Sequence, residues 1–82
     1  MKNKTVIITG SSSGMGKFMA GKFANEGANV VITGRDEAKL KATKEELMKT
    51  ATGDVFVVQM DVRKPEDVER MVEKTIEKYG SI

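Results

Sequence analysis

Gly10, Gly14 and Gly16 stand four and two residues apart, with Ser11, Ser12 and Ser13 in the longer gap and a short apolar run, Val6 to Ile8, just upstream. Glycines at these intervals permit a tight turn, close approach of a ligand to bare backbone, and close packing of a following helix on the preceding strand. The amides from Ser12 to Met15 would then face outward at a helix start. Unpaired N–H groups and the positive end of the helix dipole form a ready site for a pyrophosphate there, and the serine hydroxyls add donors. Lys17 directly follows Gly16 and is followed by Phe18, so this is not the G-x-x-x-x-G-K-S/T loop, and chemistry on a γ-phosphate is disfavoured. The spacing also departs from G-x-G-x-x-G. The purely mechanical alternative is a tight turn between strand and helix. A glycine triplet after a strand and before a helix favours the phosphate cradle.

The elements that would hold such a cradle are legible as strand, helix, strand, helix, strand, helix, with no internal repeat and no linker. Thr5 to Thr9, Asn29 to Thr33 and Val55 to Gln59 are β-branched runs without polar alternation, as expected of parallel strands covered on both faces. Met15, Met19 and Phe23, with Phe18 and Ala20 beside them, predict the apolar face of a first helix, and Gly27 follows as its C-terminal cap. A second helix is predicted from about Asp36 to Thr50, with Ala38, Leu40 and Leu47 on its inner side and Gly53-Asp54 ending the connection. Pro65 begins a third, whose inner face is predicted to be Val68, Met71, Val72 and Ile76, and which Tyr79 and Gly80 close. Three βα units with short connections require a parallel sheet with right-handed crossovers. The fold class is α/β, half of a doubly wound Rossmann fold with strands in the order third, second, first. Ligands in such sheets gather at the carboxyl ends of the strands, so the residues just after Thr9, Thr33 and Gln59 carry the functional question.

Composition removes many alternatives. The 82 residues allow one small domain, and a chain of this size buries only about 60% of its unfolded surface. There is no cysteine, histidine or tryptophan, which excludes disulfides, thiolate catalysis, a histidine base and the commonest zinc ligands. A net charge of +2, with lysines and glutamates interleaved along two helical stretches, points to neither a nucleic-acid nor a membrane partner. Three consecutive apolar residues near the start are far too few for a leader or a membrane span, so a cytoplasmic location is expected.

The motif T-G-S-S-S-G-M-G at Thr9 to Gly16 resembles the T-G-x-x-x-G-x-G of the short-chain dehydrogenases and reductases. The likeness continues through Gly27-Ala-Asn-Val-Val-Ile-Thr-Gly-Arg35 and Asp61-Val62 in the same order and at matching intervals, closest in look to bacterial members similar to 2,4-dienoyl-CoA reductases. The resemblance implies a dinucleotide-binding fold in which Gly10, Ser12, Ser13, Gly14, Met15 and Gly16 hold the cofactor pyrophosphate. It also implies that Asp61 accepts from the adenine amine and that Val62 touches the ring. At the end of the second strand an NAD-selective enzyme usually places an acid on the ribose hydroxyls. This sequence has Gly34 there, followed by Arg35, whose guanidinium suits a 2′-phosphate and favours NADP(H). The competing reading has Asp36 on the ribose, but a residue leading into a helix is better placed as its cap. Arg63 and Lys64 are read as surface charges.

Catalysis in the resembling family needs an asparagine-bearing strand, a serine, and a tyrosine with a lysine four residues later, and none of these maps onto this chain. Tyr79 is the sole tyrosine, followed by Gly80-Ser81-Ile82, and reads as a helix-end aromatic packed over the sheet edge. Residues 1–82 are therefore expected to be the mononucleotide-binding half of an NADP-dependent oxidoreductase, inactive alone. A nucleotide-binding or interaction module without catalysis is the alternative. The first strand would lack its usual neighbour on one side, so its open edge is expected to pair with a second copy.

Overall fold

The structure, a computed structural model, describes residues 3–10 and 14–80. Its elements run β1 (Thr5–Thr9), α1 (Gly14–Asn25), β2 (Asn29–Gly34), α2 (Glu37–Met48), β3 (Val55–Gln59) and α3 (Pro65–Tyr79). The sheet is parallel throughout in the order β1-β2-β3, the predicted order read from its other edge. Its register aligns Ile7 with Val31 and Phe56, and Ile8 with Ile32 and Val57.

Successive strand residues point to opposite faces, so this register sorts the side chains into two cores. Val6, Ile8, Val30, Ile32, Val55 and Val57 meet α1 and α2 on one side. On the other, Ile7, Val31, Phe56 and Val58 meet α3 through Met71, with Val68 and Val72 beside it. Val30, Val31 and Ile32 are wholly buried, which is why β2 carries no polar alternation. Removing each such side chain from water contributes about 1.5–3 kcal/mol.

Ala20 and Phe23 in α1, Leu40 and Leu47 in α2, and Val68, Met71 and Val72 in α3 pack inward as expected, with exceptions in each helix. In α1 the interior takes Ala20 and Ala24, with Phe23 half-buried, whereas Met15 and Phe18 are exposed and Met19, at 37% exposure, lies at the margin. Small residues let the helix backbone lie close to the sheet, and the Met15–Met19 stripe is rotated away from that contact. In α2 the inner row is Leu40, Thr43 and Leu47, while Ala38 faces solvent. Two residues along a helix correspond to about 200° of rotation, so Ala38 and Leu40 cannot share a face. The helix begins at Glu37, and Asp36 caps it, its carboxylate accepting from the Lys39 amide at 3.1 Å. In α3, Ile76 is exposed, and Thr75 takes the buried position because its hydroxyl donates to the Met71 carbonyl at 2.8 Å.

Two close contacts lock the end of the sheet where the strands begin. A Cβ at Gly53 would lie 2.1 Å from the Ala28 carbonyl oxygen, so the turn before β3 sits directly on the turn before β2 and only glycine fits. Gly53→Ala is expected to lower stability by about 1–3 kcal/mol through overpacking, read as a shift in the urea midpoint. Tyr79 meets Phe56 edge-on with ring centroids 6.2 Å apart, and its hydroxyl donates to Asp54 Oδ2 at 2.8 Å. Burial and the adjacent Asp54 carboxylate both push the Tyr79 phenol above its ordinary value. A group whose pKa is raised on folding contributes stability that is complete below its unfolded value, near pH 10, and is lost as pH climbs past it. Tyr79→Phe should thus cost about 1 kcal/mol at neutral pH and flatten the fall in stability above pH 10, measured by urea titration at stepped pH.

Candidate functional site

Gly10 takes φ +67° immediately after β1, a left-handed conformation that a side chain would strain, and turns the chain toward α1. Gly14, Met15 and Gly16 form the opening turn of α1, with Met15 exposed. Ser12 and Ser13, expected to add donors here, lie outside the described residues. Arg35 sits between the end of β2 and the Asp36 cap of α2, and Asp61 and Val62 follow β3.

Parallel register brings these strand ends together. Gly10, Gly34, Arg35, Met60, Asp61 and Val62 line one groove of about 320 Å³, closed on a further side by Arg63. Four of the predicted positions, from three different strand ends, therefore share one cavity. Met60 forms its buried base, and Val62, 59% exposed, offers an apolar wall. A larger cleft of about 630 Å³ lies between α1 and α2, where Gly14, Lys17, Phe18 and Leu47 line it and a Lys17–Glu46 ion pair is one of its edges. It runs along α1 from Gly14 to Asn25, and Lys17 holds the Glu46 carboxyl below its ordinary value.

The electrostatics of the groove centre on Asp61. Arg63 embraces its carboxylate, with Nε and the backbone amide donating to Oδ1 at 3.0 and 2.9 Å and Nη2 donating to Oδ2 at 2.9 Å. These bonds from Arg63, with Arg35 adding a further positive field, hold the Asp61 carboxyl well below the usual carboxylate range. Asp61 is therefore an acceptor only, with a lone-pair direction on Oδ2 left for another donor. Arg63 is a surface charge, as read from sequence, and its guanidinium is committed to this clamp. An aspartate whose side chain accepts from the amide two residues on is an Asx-turn, a pattern that Asp61-Val62-Arg63 carried. Arg35 is exposed and forms no salt bridge among the described residues.

Gln59 and Asp67 lie outside the groove lining but brace the turns that carry Arg35 and Asp61, and were not singled out from sequence. Gln59 Nε2 donates to the Arg35 carbonyl at 3.0 Å, and Asp67 Oδ2 accepts from the Asp61 amide at 2.9 Å. Their signal was positional, the last residue of β3 and the first turn of α3. Among the described residues no group of three or more His, Cys, Asp or Glu is arranged to hold a metal ion, and no helix is long and apolar enough to cross a membrane. The groove thus presents a carboxylate acceptor, an apolar side chain and an exposed guanidinium that forms no salt bridge among the described residues.

Comparison with known proteins gives the same architecture. A 1.99 Å crystal structure of a short chain dehydrogenase from Bacillus anthracis superposes with a TM-score of 0.92 at 54% identity, covering 99% of this chain and 32% of that one. The L-sorbose reductase of Gluconobacter frateurii, solved with NADPH and L-sorbose, superposes with a TM-score of 0.91 at 36% identity over 98% of this chain and 30% of its own. A probable 2,4-dienoyl-CoA reductase of Bacillus subtilis is 44% identical over all 82 residues, which are 32% of its length. The chain thus spans about a third of the relatives it matches here. The short chain dehydrogenase family model matches residues 4–82. With the parallel sheet, the glycine turn and the groove across three strand ends all in place, the chain belongs to the short-chain dehydrogenase family.

Proposed function

We propose that residues 1–82 are the mononucleotide-binding half of an NADP(H) site in an oxidoreductase, holding the adenosine phosphate end of the cofactor. The observation that carries this reading is the shared groove, in which an acceptor carboxylate, an apolar wall and a guanidinium with no salt bridge among the described residues converge on one cavity. Gly10, Ser12, Ser13, Gly14, Met15 and Gly16 would cradle the pyrophosphate, Asp61 accept from the adenine amine, Val62 lie against the ring, and Arg35 take the 2′-phosphate. The NADPH in the sorbose reductase structure supports the choice of nucleotide. When bound, the nicotinamide supplies hydride transfer; these residues bind and orient, and the catalytic groups belong to other parts of the site.

Calorimetry tests the phosphate assignment. This chain should prefer 2′,5′-ADP to 5′-AMP, and Arg35→Asp should abolish the preference, a loss of about 1.5–3 kcal/mol for a well-ordered contact to a charged group. Equal affinities in the unaltered chain would reject NADP.

Turnover is a separate matter. Tyr79 is occupied by Asp54 at the opposite end of the sheet from the groove, so the chain alone should bind without oxidising or reducing a substrate. A Cβ at Gly14 meets nothing within 4 Å, so Gly14→Val should leave the thermal midpoint nearly unchanged while a branched side chain blocks the pyrophosphate. Both 2′,5′-ADP and 5′-AMP should bind at least tenfold more weakly to that variant. NADP(H) turnover that copurifies with the chain and vanishes in Gly14→Val would overturn the non-catalytic reading.

The edge of β1 carries a further part of the proposal. Thr5 to Ile8 are only half-buried, without a proline or a bulge to blunt an edge that is apolar on both faces. Antiparallel pairing of two β1 strands about a two-fold axis makes a continuous six-stranded sheet and a dimer. Sedimentation at micromolar concentration should find that dimer, broken by Ile7→Pro and unaffected by Lys44→Glu; a folded, concentration-independent monomer rejects it.

A further inference from the structure

Arg35 can discriminate a phosphate only if the turn that carries it is held. Its neighbours are fixed by ordinary means: the Gly34 carbonyl accepts from the Met60 amide at 2.8 Å, extending the ladder by one rung, and Asp36 is committed to the α2 cap. Between them, the Arg35 carbonyl has left the strand and not joined the helix. The group that satisfies it is the side-chain amide of Gln59, donating at 3.0 Å from the last residue of β3. Both residues are exposed, so burial alone does not hold this contact in place.

Gln59 is itself tied to the other half of the groove. Its backbone carbonyl accepts from Arg70 Nη2 at 3.0 Å, Arg70 lies 3.7 Å from Asp67 Oδ1, and Asp67 Oδ2 accepts from the Asp61 amide. One run of polar contacts thus leads from the turn under Arg35 to the turn that bears Asp61. It surrounds a second, polar cavity of about 290 Å³ that shares Arg35 and Asp61 with the adenosine groove.

We propose that Gln59 is a positioning residue for nucleotide choice, its carboxamide fixing the Arg35 backbone so that the guanidinium is presented to the 2′-phosphate. This rests on the reading of Arg35 as the 2′-phosphate ligand. An arginine on a loose turn pays the ordering cost of backbone and side chain when it binds, and one on a fixed turn pays for the side chain alone. The benefit reaches only the group that Arg35 touches. Affinity for a nucleotide without a 2′-phosphate is left alone, which separates positioning from general support of the fold.

The test is Gln59→Met in this chain, a side chain of similar length with no donor, titrated calorimetrically with 2′,5′-ADP and with 5′-AMP. The expected result is a preference for 2′,5′-ADP about fivefold smaller than in the unaltered chain, with 5′-AMP affinity unchanged. A preference equal to that of the unaltered chain overturns the role of Gln59 and leaves the Arg35 assignment standing. So does an equal loss for both nucleotides, which marks Gln59 as structural. No preference in the unaltered chain removes the NADP reading and this inference with it. Should Gln59→Met fail to fold, Gln59→Thr, a good strand residue too short to reach the Arg35 carbonyl, is read by the same ratio.

Discussion

A strand buried on both faces can meet solvent only at its ends, and β2, with Val30, Val31, Ile32 and Thr33 all fully buried, is such a strand. Its neighbours pair parallel to it, so their carboxyl termini open at the same end of the sheet. The helices cover the faces and leave that end bare. The chain must leave each strand there by a turn, and polar side chains in those turns converge whether or not they are close in sequence. Gly10, Arg35 and Asp61 are separated by 25 and 26 residues along the chain and line one groove for this reason.

Charge within the groove is distributed unevenly, and the unevenness has chemical meaning. One carboxylate sits among cations, yet among the described residues only Arg63 is bonded to it. The Asp61–Arg63 pair is exposed enough that its Coulombic energy is screened, so its value lies less in stability than in geometry. It fixes the direction of a carboxylate, while Arg35 forms no salt bridge among the described residues. An Asp61 paired to Arg35 instead would neutralise the cation proposed to meet a 2′-phosphate.

The strands were legible to the residue, apart from Gly34 joining β2, because a both-face-buried strand announces itself as an unbroken β-branched run. The Pro65 start, the Asp36 cap and the glycine stops after Asn25 and Tyr79 were legible for an equally local reason: each depends on one residue's own backbone preference. The inner faces of the helices were legible in large part: Ala20 and Phe23 in α1, Leu40 and Leu47 in α2, and Val68, Met71 and Val72 in α3 all pack inward. Met15 and Phe18 in α1, Ala38 in α2 and Ile76 in α3 do not, since how near a helix lies is decided by the surface it meets as well as by its own hydrophobicity. For the site, the strand-end rule located Arg35 and Asp61, and missed Arg63 and Gln59. Their roles are hydrogen bonds to partners two and twenty-four residues away, and a residue's type does not reveal which of several acceptors it will reach. Gly53 looked like a turn glycine, and its need to touch the Ala28 carbonyl arises only from two turns stacked in three dimensions.

Chemistry and cohesion thus occupy opposite ends of the same sheet. At the amino end, Gly53 lies on Ala28, Tyr79 reaches Asp54, and Lys78 sits 5.1 Å from the Phe56 ring centroid, so the last turn of α3 is fastened to the start of β3. At the carboxyl end, contacts are exposed, polar and individually weak. Gln59 and Arg63 there hold the turns that bear Arg35 and Asp61. Concentrating the tightest packing where the strands begin leaves the turns at their other ends to be set by side-chain hydrogen bonds, while β2 stays fixed between them.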